Sequence, residues 1–129
     1  MFPSDPSVVQ QCREAAVNLG AELRDYPHPD TWAYEIVCDD SSWEAAVQRQ
    51  RIAGDPRMIY GATFLDAHTT MLRGSAMAGH ASNVTAAHLV AHELAHIYLH
   101  STDEQRVDDL ALTWIKTHTM RNETVIAQR

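Results

Sequence analysis

Two histidines and a glutamate lie close together within an apolar stretch of the chain. His92-Glu93-Leu94-Ala95-His96 has the His-Glu-x-x-His spacing, which on a helix puts both imidazoles on one face, one turn apart. Two ring nitrogens placed in this way can hold one Zn²⁺. Glu93 projects about 100° away from His92 around such a helix, so it can contact a metal-bound water without being a ligand. The pattern predicts a zinc site with a carboxylate beside it.

The residues around this motif predict that its helix is buried. Between Val84 and Leu99 nearly every residue other than the histidines is apolar, and a helix that is apolar on all sides belongs in a protein core. Two imidazoles and a carboxylate are costly to bury unless each has a partner, and a divalent cation satisfies all three together. The setting therefore favours metal binding over a chance match in a chain with eight histidines.

A catalytic zinc site needs a third protein ligand and an open position for water. Four downstream side chains have suitable chemistry: His100, Glu104, Asp108 and Asp109. If two helices fold back as an antiparallel hairpin about a turn at 101–103, the level of His92 and His96 meets residues near 106–110. This estimate of height favours Asp108 as the third ligand, with Glu104 as the alternative.

The other two candidates have simpler explanations. Around the last helix, Asp109 falls on the polar side with Gln105, which predicts a solvated carboxylate. His100 lies too far along the chain to share a metal with His92, and its position predicts a helix C-cap.

This region resembles the ImmA/IrrE family of intracellular zinc metallopeptidases, within the wider gluzincin group. The matching residues are Ala91-His92-Glu93-Leu94-Ala95-His96-Ile97-Tyr98-Leu99-His100 and Glu104-x-x-Val107-Asp108-x-Leu110-Ala111-x-x-Trp114-Ile115. The resemblance implies a zinc peptidase in which Glu104 is the third ligand and Asp108 supports a ligand histidine. Helix geometry and resemblance thus indicate different ligands, and both assignments stay open at this point.

Such a site constrains the chemistry. Bound Zn²⁺ lowers the pKa of its water to about 7, and Glu93 can take the proton of that water and return it to a leaving amine. Charge in the transition state needs a further donor, for which five side chains are suitable by type: Tyr60, His68, His80, His88 and Tyr98. His88 is expected to be packed in the core, and His68 and His80 to be exposed in loops.

The elements that position these residues follow from periodicity and capping. The sequence predicts helices over about 7–20, 41–54 and 83–100 and from 101 onward, with Ser7 as the first N-cap and Gly20 as the first stop. It predicts strands at 32–37, around 58–60 and at 69–72, and a loop at 74–82. The strand at 69–72 is a candidate sheet edge that can pair with an extended peptide.

The expected architecture is a single α+β, zincin-like domain over 1–129, with flexible ends at 1–6 and about 120–129. In it a small sheet packs against an active-site helix and a closing helix.

Composition narrows the partners. A net charge of -7 disfavours nucleic acid and anionic membranes, since both are held by basic surfaces. No run reaches the roughly 18 apolar residues of a membrane span, and Met1–Pro6 has no leader pattern. The expected location is the cytoplasm, where Cys12 and Cys38 would be buried free thiols.

These observations predict a zinc-dependent metallopeptidase acting on peptides or a protein substrate. Two alternatives remain. One is an inactive zincin-like module with structural zinc that binds a protein partner, which a closed site with four protein ligands would indicate. The other is a zinc enzyme of small non-peptide substrates, which a narrow closed pocket would indicate.

Overall fold

The computed structural model describes residues 5–127, with side chains described for 5–118. In chain order the elements are α1 (Pro6–Asp25), β1 (Ala33–Val37), α2 (Asp40–Arg49), a 3-10 turn (Pro56–Met58), β2 (Gly61–Phe64), β3 (Thr69–Arg73), α3 (Gly74–Met77), α4 (Ala86–Leu99) and α5 (Glu104–Ala127). This mixture of helices with a small three-stranded sheet confirms the predicted α+β class.

The sheet has the order β1-β3-β2, so β3 lies at its centre. β3 runs parallel to β1, with Ala33 opposite Thr69, and antiparallel to β2, with Gly61 opposite Leu72. The prediction that β3 is an edge strand is therefore wrong. Its residues from Thr70 to Arg73 are all buried, as expected of a strand paired on both sides, and β2 supplies the free edge beside α4.

Successive side chains of β3 point to opposite faces of the sheet. Met71 packs with α2, in a cluster that contains Trp43, Ala46 and Val47. Leu72 points the other way, into a larger cluster built on α1, α4 and α5 whose buried members include Ala15, Leu19, Leu89, Val90, Leu94, Val107 and Ala111. The closing helix α5 packs mainly on α4, so α4 lies between α5 and the sheet.

α1 is longer than predicted at both ends. Asp5 is its N-cap in place of Ser7, and the Asp5 carboxylate accepts a hydrogen bond from the Ser7 amide at 2.9 Å. The helix continues through Gly20 because Leu23 still packs on the core. It ends at Asp25, before Tyr26-Pro27, since a proline disfavours helical backbone in the residue before it.

Three further boundaries differ from the prediction. The segment expected to be a loop at 74–82 begins with α3, whose residues Ala76 and Met77 are buried. The strand expected around 58–60 begins at Gly61 instead, because Asp55 caps a 3-10 turn that starts at Pro56. α4 begins at Ala86, where the Thr85 hydroxyl accepts a hydrogen bond from the His88 amide.

Cys12 on α1 and Cys38 just after β1 form a disulfide, with Cα atoms 5.1 Å apart. The prediction of two free buried thiols is therefore wrong. Twenty-six positions separate the two cysteines, and only the packing of α1 against β1 brings them together. Disulfides persist mainly in oxidising compartments, and the cytoplasmic location stays a prediction.

Among the described residues, none of the helices has the length and apolarity to cross a bilayer. Of the ends predicted to be flexible, residues 1–4, 128 and 129 lie outside the described part of the chain. The backbone of α5 continues as far as Ala127.

Candidate metal centre

α4 holds its two motif histidines in defined orientations. His96 Nδ1 lies 2.8 Å from the carbonyl oxygen of Ser101, and His92 Nδ1 lies 3.4 Å from Asp108 Oδ1. A carbonyl and a carboxylate only accept hydrogen bonds, so both Nδ1 atoms carry the proton. With Nδ1 donating in both rings, Nε2 is the nitrogen through which each imidazole would ligate a metal.

Glu104, the first residue of α5, lies at both of these Nε2 atoms. Its Oε2 is 2.8 Å from His92 Nε2, and its Oε1 is 3.2 Å from His96 Nε2. Three ligands of a tetrahedral Zn²⁺, each bonded at about 2.0–2.1 Å, are about 3.4 Å apart, and one ligand atom from each of these three residues lies within 4.8 Å of the other two. The Glu104 side chain is 69% exposed, and the group is therefore open to solvent.

Asp108, the ligand favoured by the sequence-based estimate of height, contacts the other side of His92. Its Oδ1 lies 3.0 Å from His88 Nε2 as well as 3.4 Å from His92 Nδ1. These three residues form a second group with the chemistry of a metal site. The turn lies at 101–103 as predicted, but Glu104, the first residue of α5, already reaches both Nε2 atoms, and Asp108, one turn further along, meets the Nδ1 side of His92.

The hydrogen bond to His88, followed by that to His92, lowers the pKa of Asp108 below its ordinary value. Asp108 is therefore held as a carboxylate that orients the His92 ring. Removing its charge would loosen that orientation.

Glu93 is almost completely buried, with 4% of its surface exposed, yet it borders the cleft in front of the histidines. Burial raises the pKa of this carboxyl above its ordinary value, while the charges of His92 and His96 and a hydrogen bond from Thr63 oppose the rise. Thr63 Oγ1 donates to Glu93 Oε1 at 2.9 Å. The other oxygen, Oε2, lies close to the backbone of Gly61.

Behind Glu93 lies a polar group that the sequence analysis missed. Thr63 Oγ1 is 2.9 Å from Thr70 Oγ1, which in turn accepts a hydrogen bond from Trp32 Nε1 at 3.0 Å. Thr63 and Thr70 are directly opposite each other on β2 and β3. Thr70 lies in a predicted strand, but Thr63 falls outside the strand predicted around 58–60, and only the observed register shows that the two meet beneath the motif helix.

A cleft of about 480 Å³ opens in front of the site, between α4, the start of α5 and the free edge of β2. Of the five donors proposed for transition-state charge, two line this cleft, namely Tyr60 and His88. The site is thus an open groove with an extended strand along one wall.

The remaining predicted residues lie as follows. His88 is wrongly predicted as a packed core residue: its side chain is 38% exposed and bonded to Asp108, because it lies on the α4 face that turns toward α5 and the cleft. His100 is the C-cap of α4, as predicted, with φ of 48°. Asp109 is exposed on the polar side of α5 with Gln105, also as predicted.

The prediction that His68 and His80 are exposed in loops is confirmed. His68 is exposed in the turn between β2 and β3, where its ring stacks on Trp32. His80 is exposed after α3, and its ring lies 2.9 Å from Gln11.

Comparison with known proteins adds no relative: no family model, no curated protein and no solved structure matches this chain.

Proposed function

We propose that this chain is a zinc-dependent metallopeptidase, as its His-Glu-x-x-His motif and its resemblance to ImmA/IrrE peptidases suggest. The observation that carries the proposal is the position of Glu104, whose two oxygens lie at the Nε2 atoms of His92 and His96. Glu93 borders the same cleft from the next position along α4. Two imidazoles and one carboxylate are suitable ligands for a hydrolytic zinc site, and a second carboxylate beside them can act as its base.

In this proposal His92, His96 and Glu104 hold the ion, and Asp108 positions His92. The assignment of Glu104 rests on Nε2, because each Nδ1 already has an acceptor. Partners of this kind fix the ring orientation and raise the basicity of ligand histidines. The same assignment is what the resemblance implies for Glu104 and Asp108.

When bound, zinc acidifies its water and polarises a carbonyl oxygen. Glu93 takes the proton of the attacking water and delivers it to the leaving amine. Burial suits Glu93 to this role because a raised pKa makes the carboxylate a stronger base than one in water. Thr63 occupies Oε1, so Oε2 is the oxygen left to handle the proton.

The free edge of β2 favours a peptide as the substrate. Gly61–Phe64 lines the cleft, and its outer edge has no neighbouring strand among the described residues. An extended peptide can add to such an edge through main-chain hydrogen bonds. β2 therefore takes the role that the sequence suggested for β3.

The two alternatives are less well supported. Among residues 5–118 no fourth histidine, cysteine, aspartate or glutamate joins the group of His92, His96 and Glu104, whereas structural zinc sites are closed by four ligands. The cleft is also open along a strand, while a site for a small molecule encloses most of its ligand.

The test compares the wild-type protein with Glu93→Gln. Both are expected to carry one zinc per chain by elemental analysis, because Glu93 is not a ligand. The wild type is expected to cleave members of a library of quenched fluorescent peptides. The variant is expected to have a kcat at least about 100-fold lower, which is in the range of general acid-base catalysis. His80→Gln, an exposed histidine outside the cleft, is the control and should retain both properties. Absence of stoichiometric zinc, or equal cleavage by the Glu93 variant, would refute the proposal.

A further inference from the structure

Three side chains, one buried and two half-buried, form a continuous hydrogen-bonded line that ends at Glu93. The indole of Trp32 donates to Thr70 Oγ1, Thr70 and Thr63 are joined through their hydroxyls, and Thr63 donates to Glu93 Oε1. All three distances lie between 2.9 and 3.0 Å. Thr70 is completely buried, so no water competes for its hydroxyl. Nothing in the peptidase chemistry alone requires this line.

Counting the protons gives the line a single direction. An indole N–H only donates and an ionised carboxylate only accepts. Thr63 gives its one proton to Glu93, so it must accept from Thr70, and Thr70 in turn accepts from Trp32. Every hydroxyl proton and every required acceptor is then used. Because the order is determined at both ends, neither threonine hydroxyl is free to rotate.

Thr63 and Gly61 act from the same side of Glu93. They are two positions apart on β2, so both face α4. A Cβ atom at Gly61 would lie 3.1 Å from Glu93 Oε2 and 3.0 Å from Leu89 Cδ1. Gly61 thus leaves just enough space for the carboxylate, while Thr63 pulls on its other oxygen. Together they hold the carboxylate in one place against the sheet.

We propose that Thr63 is a positioning residue for Glu93, and that Thr70 and Trp32 keep the Thr63 hydroxyl aimed at Oε1. The inference deepens the proposed peptidase function and rests on it. The line occupies Oε1 and fixes the carboxylate, which leaves Oε2, beside Gly61 at the border of the cleft, to take the proton of the attacking water. A carboxylate free to rotate would spend part of its time out of reach of that water, which lowers kcat and leaves substrate binding unchanged.

The kinetic test uses Thr63→Val and Thr63→Ser in the zinc-loaded protein, with a peptide that the wild type cleaves. Valine keeps the shape but removes the hydroxyl, and is expected to lower kcat by about 10- to 100-fold with KM and zinc content unchanged. Serine restores the hydroxyl and is expected to return kcat to within about threefold of wild type. Thr69→Val is the matched control, since the Thr69 hydroxyl donates to the Ala67 carbonyl, away from Glu93, and its loss should leave kcat unchanged.

A second measurement is independent of turnover. Crystal structures of zinc-loaded wild type and Thr63→Val are expected to show the Glu93 carboxylate in one orientation in the former and in several in the latter. An ordered, unmoved carboxylate in the valine variant, or equal kcat for valine and wild type, would overturn the inference. If the wild type cleaves no peptide, the peptidase proposal fails, and the crystallographic result still decides whether Thr63 positions Glu93.

Discussion

The two faces of the sheet differ in the polarity of the side chains packed against them. On the α2 face the side chains of Trp43, Val47 and Met71 form an apolar cluster, and the indole N–H of Trp43 bonds to the Ile59 carbonyl. On the α4 face two hydroxyls and a buried carboxylate are joined in one line of hydrogen bonds. The α2 face thus serves stability alone, while the α4 face combines the larger apolar cluster with the cost of burying polar groups beside the cleft.

The largest effect is expected from the α2 face. Trp43 is completely buried, and Trp43→Ala should lower the free energy of unfolding by about 3–5 kcal/mol. Trp43→Phe, which keeps a ring but leaves the Ile59 carbonyl without its donor, should lose about 1–3 kcal/mol. Urea unfolding of both variants measures these two losses. Repeating it on the phenylalanine variant with zinc and with chelator measures the stabilisation by zinc. The stabilisation by zinc should equal that of the wild type, and a smaller value would show that the two faces are not separate.

Next in size is the contrast between the two carboxylates of α5. Glu104→Ala removes a proposed ligand and should weaken zinc binding by more than about 100-fold, whereas Asp108→Asn removes a partner of a ligand and should cost about 10- to 100-fold. Competition with a chromogenic chelator measures both affinities. The control is Asp109→Asn, an exposed neighbour on the same helix. The reverse order, with Asp108 the more important, would restore the ligand favoured by helix height.

The smallest effect concerns the one charged pair of β3. Arg73, nearly buried, donates to the half-exposed Asp40 at 2.9 Å, and this hydrogen bond lowers the pKa of Asp40. A carboxyl with a lowered folded pKa stabilises above its unfolded value and loses that contribution as pH falls through the folded value. Asp40→Asn should therefore cost about 0.5–1 kcal/mol at pH 7 and nothing at the acid end. Urea unfolding from pH 7 to 3 measures the difference, and a difference that grows on acidification would contradict it.

Most of the fold was predictable because it follows local rules. Proline, capping residues and apolar period predicted the helices and strands, with errors of a few residues where tertiary packing prevailed, as at Gly20. The strand order was not predictable, since β3 looks like an edge by composition and becomes central only through pairing. The disulfide between Cys12 and Cys38 was missed for the same reason, because it depends on how α1 crosses β1.

The residues of the candidate site also divide into those that a local pattern predicts and those that depend on tertiary contacts. His92, Glu93 and His96 follow from a spacing on one helix, and the spacing needs no knowledge of the rest of the chain. The third position depends on the height at which two helices meet, and an error of one turn exchanges Glu104 and Asp108. Thr63 and Thr70 depend on register across a sheet, for which the sequence carries almost no local signal.

The reversal between α4 and α5 has a further consequence. His100 takes left-handed backbone there, and the next residue, Ser101, turns its carbonyl back onto His96. Three residues later the chain supplies Glu104. Each added residue rotates a helix by about 100°. The length of the connection at 100–103, more than its composition, therefore keeps the Glu104 carboxylate beside the rings of His92 and His96. A longer or shorter connection would leave α4 and α5 packed together but would turn that carboxylate to another side of α5.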